Sequence, residues 1–164
     1  LAKKKNIPVL YNMQCSPNFM KKCGVDIKDI EEMIGLSTIF ASGREGYLEM
    51  IGEEEYEKGV QKFYEIYSVP HGVICTTGDE GSLWVDNEDT IHMDAYSVDV
   101  VDTTGAGDCF LAGLIYAYFC KGMDKQEALK FATGSAAIKC MQKGPRSKAK
   151  VKEIEEFIHL QNNL

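Results

Sequence analysis

Short apolar runs alternate with longer stretches whose apolar residues recur at helical spacing, and this alternation constrains the fold more than any other feature. An apolar run at 7–11 follows a lysine-rich segment and reads as a buried strand after the end of a preceding helix. Residues 12–17 read as a loop. Asp26 is placed to cap a helix reaching about Ile34, with Gly35 as its stop. Thr38, Ile39 and Phe40 form a second short strand that ends in Ala41-Ser42-Gly43. Two helices follow, one at 45–51 and one starting at Gly52-Glu53-Glu54-Glu55 with Val60, Phe63, Tyr64 and Tyr67 at helical spacing. The acidic start suits the positive end of a helix dipole. A strand at 71–76, a turn at 78–81 and a hairpin of 82–85 with 91–93 about Asp86-Asn87 come next. A long helix starts within 105–108 and runs to 120–122. Asp124-Lys125-Gln126-Glu127 resembles a capping box opening a helix to about Met141, and Gly144-Pro145 ends it. Val151, Ile154, Phe157 and Ile158 mark a last amphipathic helix. Such an order predicts a layered α/β fold with a mostly parallel sheet.

At 164 residues the chain is expected to form one domain over 1–164, with no repeat or linker. Its formal net charge of −7 repels phosphate backbones, so no nucleic-acid partner is expected. No stretch approaches the roughly 20 apolar residues of a membrane span, and no membrane partner is expected. The six cysteines have no zinc-knuckle or redox-pair spacing. They read as reduced and mostly buried thiols, which points to a cytoplasmic location. The three histidines are scattered and read as structural. The start at Leu1, without methionine or signal core, reads as a cut end.

The segment Val100-Val101-Asp102-Thr103-Thr104-Gly105-Ala106-Gly107-Asp108-Cys109-Phe110 carries the chemistry. Strand-like residues lead into a turn of small residues that opens a helix. Unpaired N–H groups at a helix start point at one spot, and Gly105, Ala106 and Gly107 let an anion approach them closely. Asp108 would repel a resting phosphate, but makes sense as a base that takes a proton from an attacking hydroxyl. A helix-capping aspartate is the plainer reading, yet it leaves the absence of bulky residues unexplained. Neither G-x-x-x-x-G-K-[ST] nor G-x-G-x-x-G is present, which disfavours Walker-type and Rossmann sites.

Asp102-Thr103-Thr104-Gly105-Ala106-Gly107-Asp108 resembles the signature of ribokinase-like (PfkB-type) carbohydrate kinases. Thr76-Thr77-Gly78-Asp79-Glu80-Gly81 resembles their T-x-G-x-x-G strand-turn, in the expected order. The similarity runs from about Ile7 to Ile158. It implies a three-layer α/β/α ribokinase-like domain, of which this chain is the C-terminal, nucleotide-binding portion. The N-terminal part and the β lid are outside it. Asp108 would be the catalytic base and Gly105, Ala106 and Gly107 the anion hole. Thr76, Gly78 and Gly81 would contact ATP, with Thr133 and Gly134 near the adenine. Asp102 and Thr104, with backbone oxygens near Gly144, match a loop that binds a monovalent cation in many members, where K+ would tighten the turn. Asp102 can also serve as a turn-forming hydrogen-bond acceptor.

Two departures concern Mg2+. The N-x-x-E motif reads Ser42-Gly43-Arg44-Glu45, keeping the metal-side Glu45 and losing the asparagine. Asn12 stands where the early strand often ends in aspartate. The expected function is transfer of the γ-phosphate of Mg-ATP to a hydroxyl of a small sugar. The alternatives are a nucleoside kinase of the same family and a nucleotide-binding fragment without catalysis. Homo-oligomers, where formed, would use the lid that lies outside this chain.

Overall fold

A computed structural model describes residues 1–162. A five-stranded sheet runs in the order β1 (Leu10–Met13), β2 (Ile39–Gly43), β3 (Val73–Thr76), β4 (Ser82–Val85) and β5 (Thr90–Met93). The β1–β2 and β2–β3 pairs are parallel, with Leu10 opposite Ile39 and Phe40 opposite Val73. Parallel neighbours need crossovers, and helices supply them. Helices α1 (Pro17–Lys22) and α2 (Ile27–Leu36) link β1 to β2, while α3 (Arg44–Ile51) and α4 (Tyr56–Tyr67) link β2 to β3. The remaining helices are α5 (Ala106–Leu114), continued as a π-helix over Ile115–Cys120, then α6 (Lys125–Cys140) and α7 (Val151–Gln161). The chain divides into two compact units. The first comprises residues 1–77 with 83–91, the second residues 78–82 with 92–164.

The first unit is built on an aromatic core. Phe40 and Phe63 stack with ring centroids 4.7 Å apart, and Tyr47 meets Phe63 edge-on at 5.0 Å. All three are fully buried. The Tyr47 hydroxyl donates to the Ile74 carbonyl at 2.7 Å, which meets the cost of burying a phenol. Burial pushes the Tyr47 pKa well above its usual value. Tyr56, Tyr64 and Tyr67 pack partly buried against this core.

The second unit is a helix stack. Helix α6 is buried on nearly every side, between α5 and α7. Small residues allow that close approach. A Cβ on Gly113 would lie 3.1 Å from the Ala132 Cα, and one on Gly134 would lie 2.7 Å from Ile158.

Several boundaries differ from the sequence reading. The first strand starts at Leu10, and only Met13 in it is buried, because β1 is the edge of the sheet. Residues 17–22 form α1, an element the sequence reading leaves unassigned beyond Pro17: Ser16 caps it, accepting from the Phe19 N–H at 3.4 Å, and Pro17 opens it. Helix α2 passes through Gly35 and stops at Ser37, whose hydroxyl donates to the Met33 carbonyl at 2.6 Å. A glycine within a helix costs only about 1 kcal/mol relative to alanine, too little to end α2 before Leu36. Helix α4 starts at Tyr56, since Gly52 is left-handed (φ +74°) and closes α3 instead. Residues 100–102 form no strand; the Val101 and Asp102 N–H groups both donate to the Cys140 carbonyl. Of the six cysteines only Cys75 is buried, and Cys15, Cys23 and Cys120 are exposed. Among the described residues no helix is long and apolar enough to cross a membrane.

Candidate active site

The turn before α5 belongs to the second unit. Gly105 is its N-cap with φ +81°, and a Cβ there would meet the Pro145 carbonyl oxygen at 2.1 Å. Only glycine satisfies both conditions. The Ala106 N–H donates to the Thr103 carbonyl at 3.0 Å, so this member of the expected anion hole is already engaged. The Cys109 N–H likewise donates to the Gly105 carbonyl at 3.0 Å, so the donor the turn presents to an incoming anion is centred on Gly107. That residue has an ordinary helical backbone, and a Cβ on it would meet nothing within 4 Å. The chain's own packing does not require glycine at 107, whereas it does at 105, 113 and 134. An open approach to helix-start N–H groups is what a phosphate needs. Asp108, the next residue, is exposed in the first turn of α5.

Asp102 ties the base of this turn to the loop after α6. Its Oδ1 accepts from the Thr104 N–H at 2.9 Å and its Oδ2 from the Gly144 N–H at 2.8 Å. Hydrogen bonds from the backbone and side chain of Thr104, then from Gly144, hold its pKa down at about 2. Lys139 crosses the same gap. Its side chain is fully buried, and its Nζ donates to the Asp102 carbonyl at 2.6 Å and to the Gln142 carbonyl at 3.3 Å. The sequence reading missed Lys139. Its only signal was a lysine placed on the buried face of a helix, where lysines are rarely found without partners.

Thr133 and Gly134 lie on α6. The Thr133 hydroxyl is buried with no hydrogen-bond partner among the described residues, an unmet polar group that a ligand could satisfy. Gly134 is set by packing against Ile154 and Ile158. Gly78 (φ +69°) opens a 3-10 turn over Gly78–Glu80, and Gly81 (φ +106°) ends it; a Cβ on Gly81 would strike the Met93 carbonyl oxygen at 2.0 Å.

Glu45 and Thr76 belong to the first unit. There a cleft of about 350 Å³ opens where β1, β2 and β3 end, at Met13, Gly43 and Thr76. Ligands of open parallel sheets bind beyond the carboxyl ends of the strands. Glu45 and Thr76 line this cleft with Arg44, whose guanidinium donates to the Thr77 carbonyl at 3.1 Å and lies 4.8 Å from the Tyr56 ring centroid. Ser42, the replacement in the N-x-x-E segment, turns inward. Its buried hydroxyl donates to the Met13 carbonyl at 2.9 Å, and a Cβ on Gly46 would press on it at 2.1 Å. Ser42 is thus part of the strand–helix joint. Among the described residues no three histidine, cysteine or acidic side chains cluster to hold a metal. Mg2+ often uses one or two carboxylates with phosphates and waters, and Glu45 fits that smaller demand.

Residues 4–152 match the pfkB family carbohydrate kinase model. The deoxyribokinase of Salmonella typhi is 33% identical over 91 residues, 55% of this chain and 29% of that protein. The Thermotoga maritima ribokinase structure superposes with a TM-score of 0.78 at 28% identity, covering 96% of this chain and 51% of the other. The Salmonella enterica aminoimidazole riboside kinase, solved with aminoimidazole riboside and an ATP analogue, shares the fold with a TM-score of 0.76 at 23% identity, covering 96% and 54%. The chain therefore spans about half the length of these solved neighbours. With residues 4–152 matched to the family model, the chain belongs to the pfkB family of carbohydrate kinases, with a ribokinase-like α/β fold.

Proposed function

We propose that this chain is the nucleotide-binding and catalytic portion of a kinase that phosphorylates a hydroxyl of a small sugar. The observation that carries the reading is Gly107. It is a glycine the fold does not need, at a helix start, with a carboxylate as its neighbour. When bound, Mg-ATP supplies the γ-phosphoryl group. Asp108 takes the proton of the acceptor hydroxyl as its oxygen bonds to phosphorus and the bond to the β-phosphate oxygen breaks. The N–H at Gly107 holds the charge on the phosphoryl oxygens, with Gly105 fixing the turn. Thr76, Gly78 and Gly81 contact the nucleotide phosphates and ribose, Thr133 and Gly134 lie by the adenine, and Glu45 serves Mg2+.

Calorimetry of Mg-ATP binding to the chain and to Gly107→Asp tests the nucleotide site. Binding by the first and its loss in the second is the expected result. Equal affinity in both would remove the anion-hole assignment. Transfer is tested with a panel of sugars and nucleosides, using the chain alone and supplied with an N-terminal half. Asp108→Asn should lose about 100- to 10,000-fold in rate while keeping ATP affinity. A variant that keeps most of its rate would remove the base. Phosphorylation of nucleosides only would favour the nucleoside kinase reading. Binding without turnover would favour a non-catalytic module, a reading that the inward turn of Ser42 supports.

A further inference from the structure

The loop that the family resemblance gives to a monovalent cation is already bridged by a charged group of the chain. Two segments meet there, 102–104 before the glycine turn and 142–144 after α6. Asp102 joins them through its carboxylate, which accepts from the Thr104 and Gly144 N–H groups. Lys139 joins them through their oxygens, donating to the Asp102 and Gln142 carbonyls. Backbone carbonyls from two loops beside a carboxylate form a set of hard oxygen donors suited to an alkali ion. The Lys139 side chain has no solvent exposure, so its Nζ is held among these oxygens and not in water. An alkali ion at the same oxygens would have to compete with this group for them, and would be repelled by its charge. The residues present therefore do not fit a potassium ion.

We propose that Lys139 is the resident cation of this loop: its Nζ, held between the Asp102 and Gln142 carbonyls, fixes the glycine turn and makes nucleotide binding independent of added potassium. Lys139 is a positioning residue, acting on the ligand through the turn. The proposal rests on the nucleotide reading above for its effect on ATP, and on the loop geometry alone for its effect on the fold.

The test compares the wild-type chain with Lys139→Ala and Lys139→Met. Mg-ATP affinity and thermal unfolding are measured in choline, sodium, potassium and ammonium chlorides at equal ionic strength. The wild type should show the same affinity and midpoint in every salt. Lys139→Ala, which empties the space, should lose about tenfold or more in ATP affinity in choline, the scale of losing hydrogen bonds from a charged donor. Potassium or ammonium should restore most of it with a saturable dose response, and should raise the unfolding midpoint of the variant alone. Lys139→Met, which keeps the apolar stem without the charge, should stay folded and lose affinity similarly. A wild type whose affinity or midpoint rises with potassium in particular would overturn the proposal, and this arm needs no variant. So would a folded Lys139→Ala or Lys139→Met with wild-type affinity in choline, or a Lys139→Ala deaf to every cation. If no form binds ATP, the nucleotide reading fails by itself, and a potassium-specific stabilisation confined to Lys139→Ala still decides this one.

Discussion

The two units are held together by different physics. In the first, three buried aromatic rings fill the space between strands and helices, and polar groups such as the Tyr47 hydroxyl are satisfied incidentally. In the second, the glycine turn is fixed by contacts that no apolar side chain makes. These are a left-handed glycine against a proline carbonyl, a carboxylate between two loops and a buried lysine spanning the same loops. Packing tolerates adjustment, since hydrophobic contact has no preferred direction. Hydrogen bonds and backbone contacts have direction, so a turn built from them holds its N–H groups in one place. Stability is stored in the first arrangement and position in the second.

The most severe break is expected in the first unit. Phe63→Ala removes the ring that stacks on Phe40 and meets Tyr47, and should cost about 3–5 kcal/mol in urea unfolding. A loss under half of that would mean the aromatic core is not the main store of stability. Gly105→Ala should come next. It forces a side chain into the left-handed region, at about 1–3 kcal/mol before the clash with Pro145 is counted. Nucleotide binding should fall with it, because the turn must move. Gly107→Ala sharpens the contrast two residues later. The fold should be unharmed or stabilised by about 0.4–1 kcal/mol, while Mg-ATP affinity drops. A destabilised variant would mean that position 107 serves the fold after all.

The smallest effect is a pH dependence. The folded pKa of Asp102 lies at about 2, below the value of about 3.9 for a free aspartate. A lowered folded pKa means that the stabilisation is complete above the unfolded value and is lost as pH falls through the folded one. The gap in urea midpoint between wild type and Asp102→Asn should therefore be constant above about pH 5 and shrink toward pH 2. A gap that stays constant down to pH 2 would mean that the carboxylate's charge contributes nothing. Asp102 is half exposed, so solvent screening keeps this effect modest.

The order of elements and the glycine turn were legible because they depend on local rules. Apolar periodicity separates strands from helices, and Asp26 and Asp124 cap their helices as their positions suggest, accepting from Lys28 and Glu127 N–H groups. Helix α1 was legible too, in the Ser16-Pro17 pair, but its short length hid it. The strand reading of 100–102 failed for a different reason. Val100 and Val101 have the side chains of a strand, yet the Val101 and Asp102 N–H groups are engaged by the Cys140 carbonyl and both valine side chains stay exposed. Ser42 and Lys139 lay beyond sequence reasoning, since the hydroxyl and Nζ of each find partners 29 and 37 residues away.

The sequence by itself determined the α/β class, the helix start at Gly105 to Asp108 and the residue types a phosphate site needs. Those features are written in neighbours along the chain. The tertiary structure alone decided which glycine the packing requires and which it leaves open, and which charged group sits behind the turn. Those outcomes depend on what occupies the space beside a residue, and that space is filled by Pro145, Ile158 and Lys139, which come from other elements of the chain.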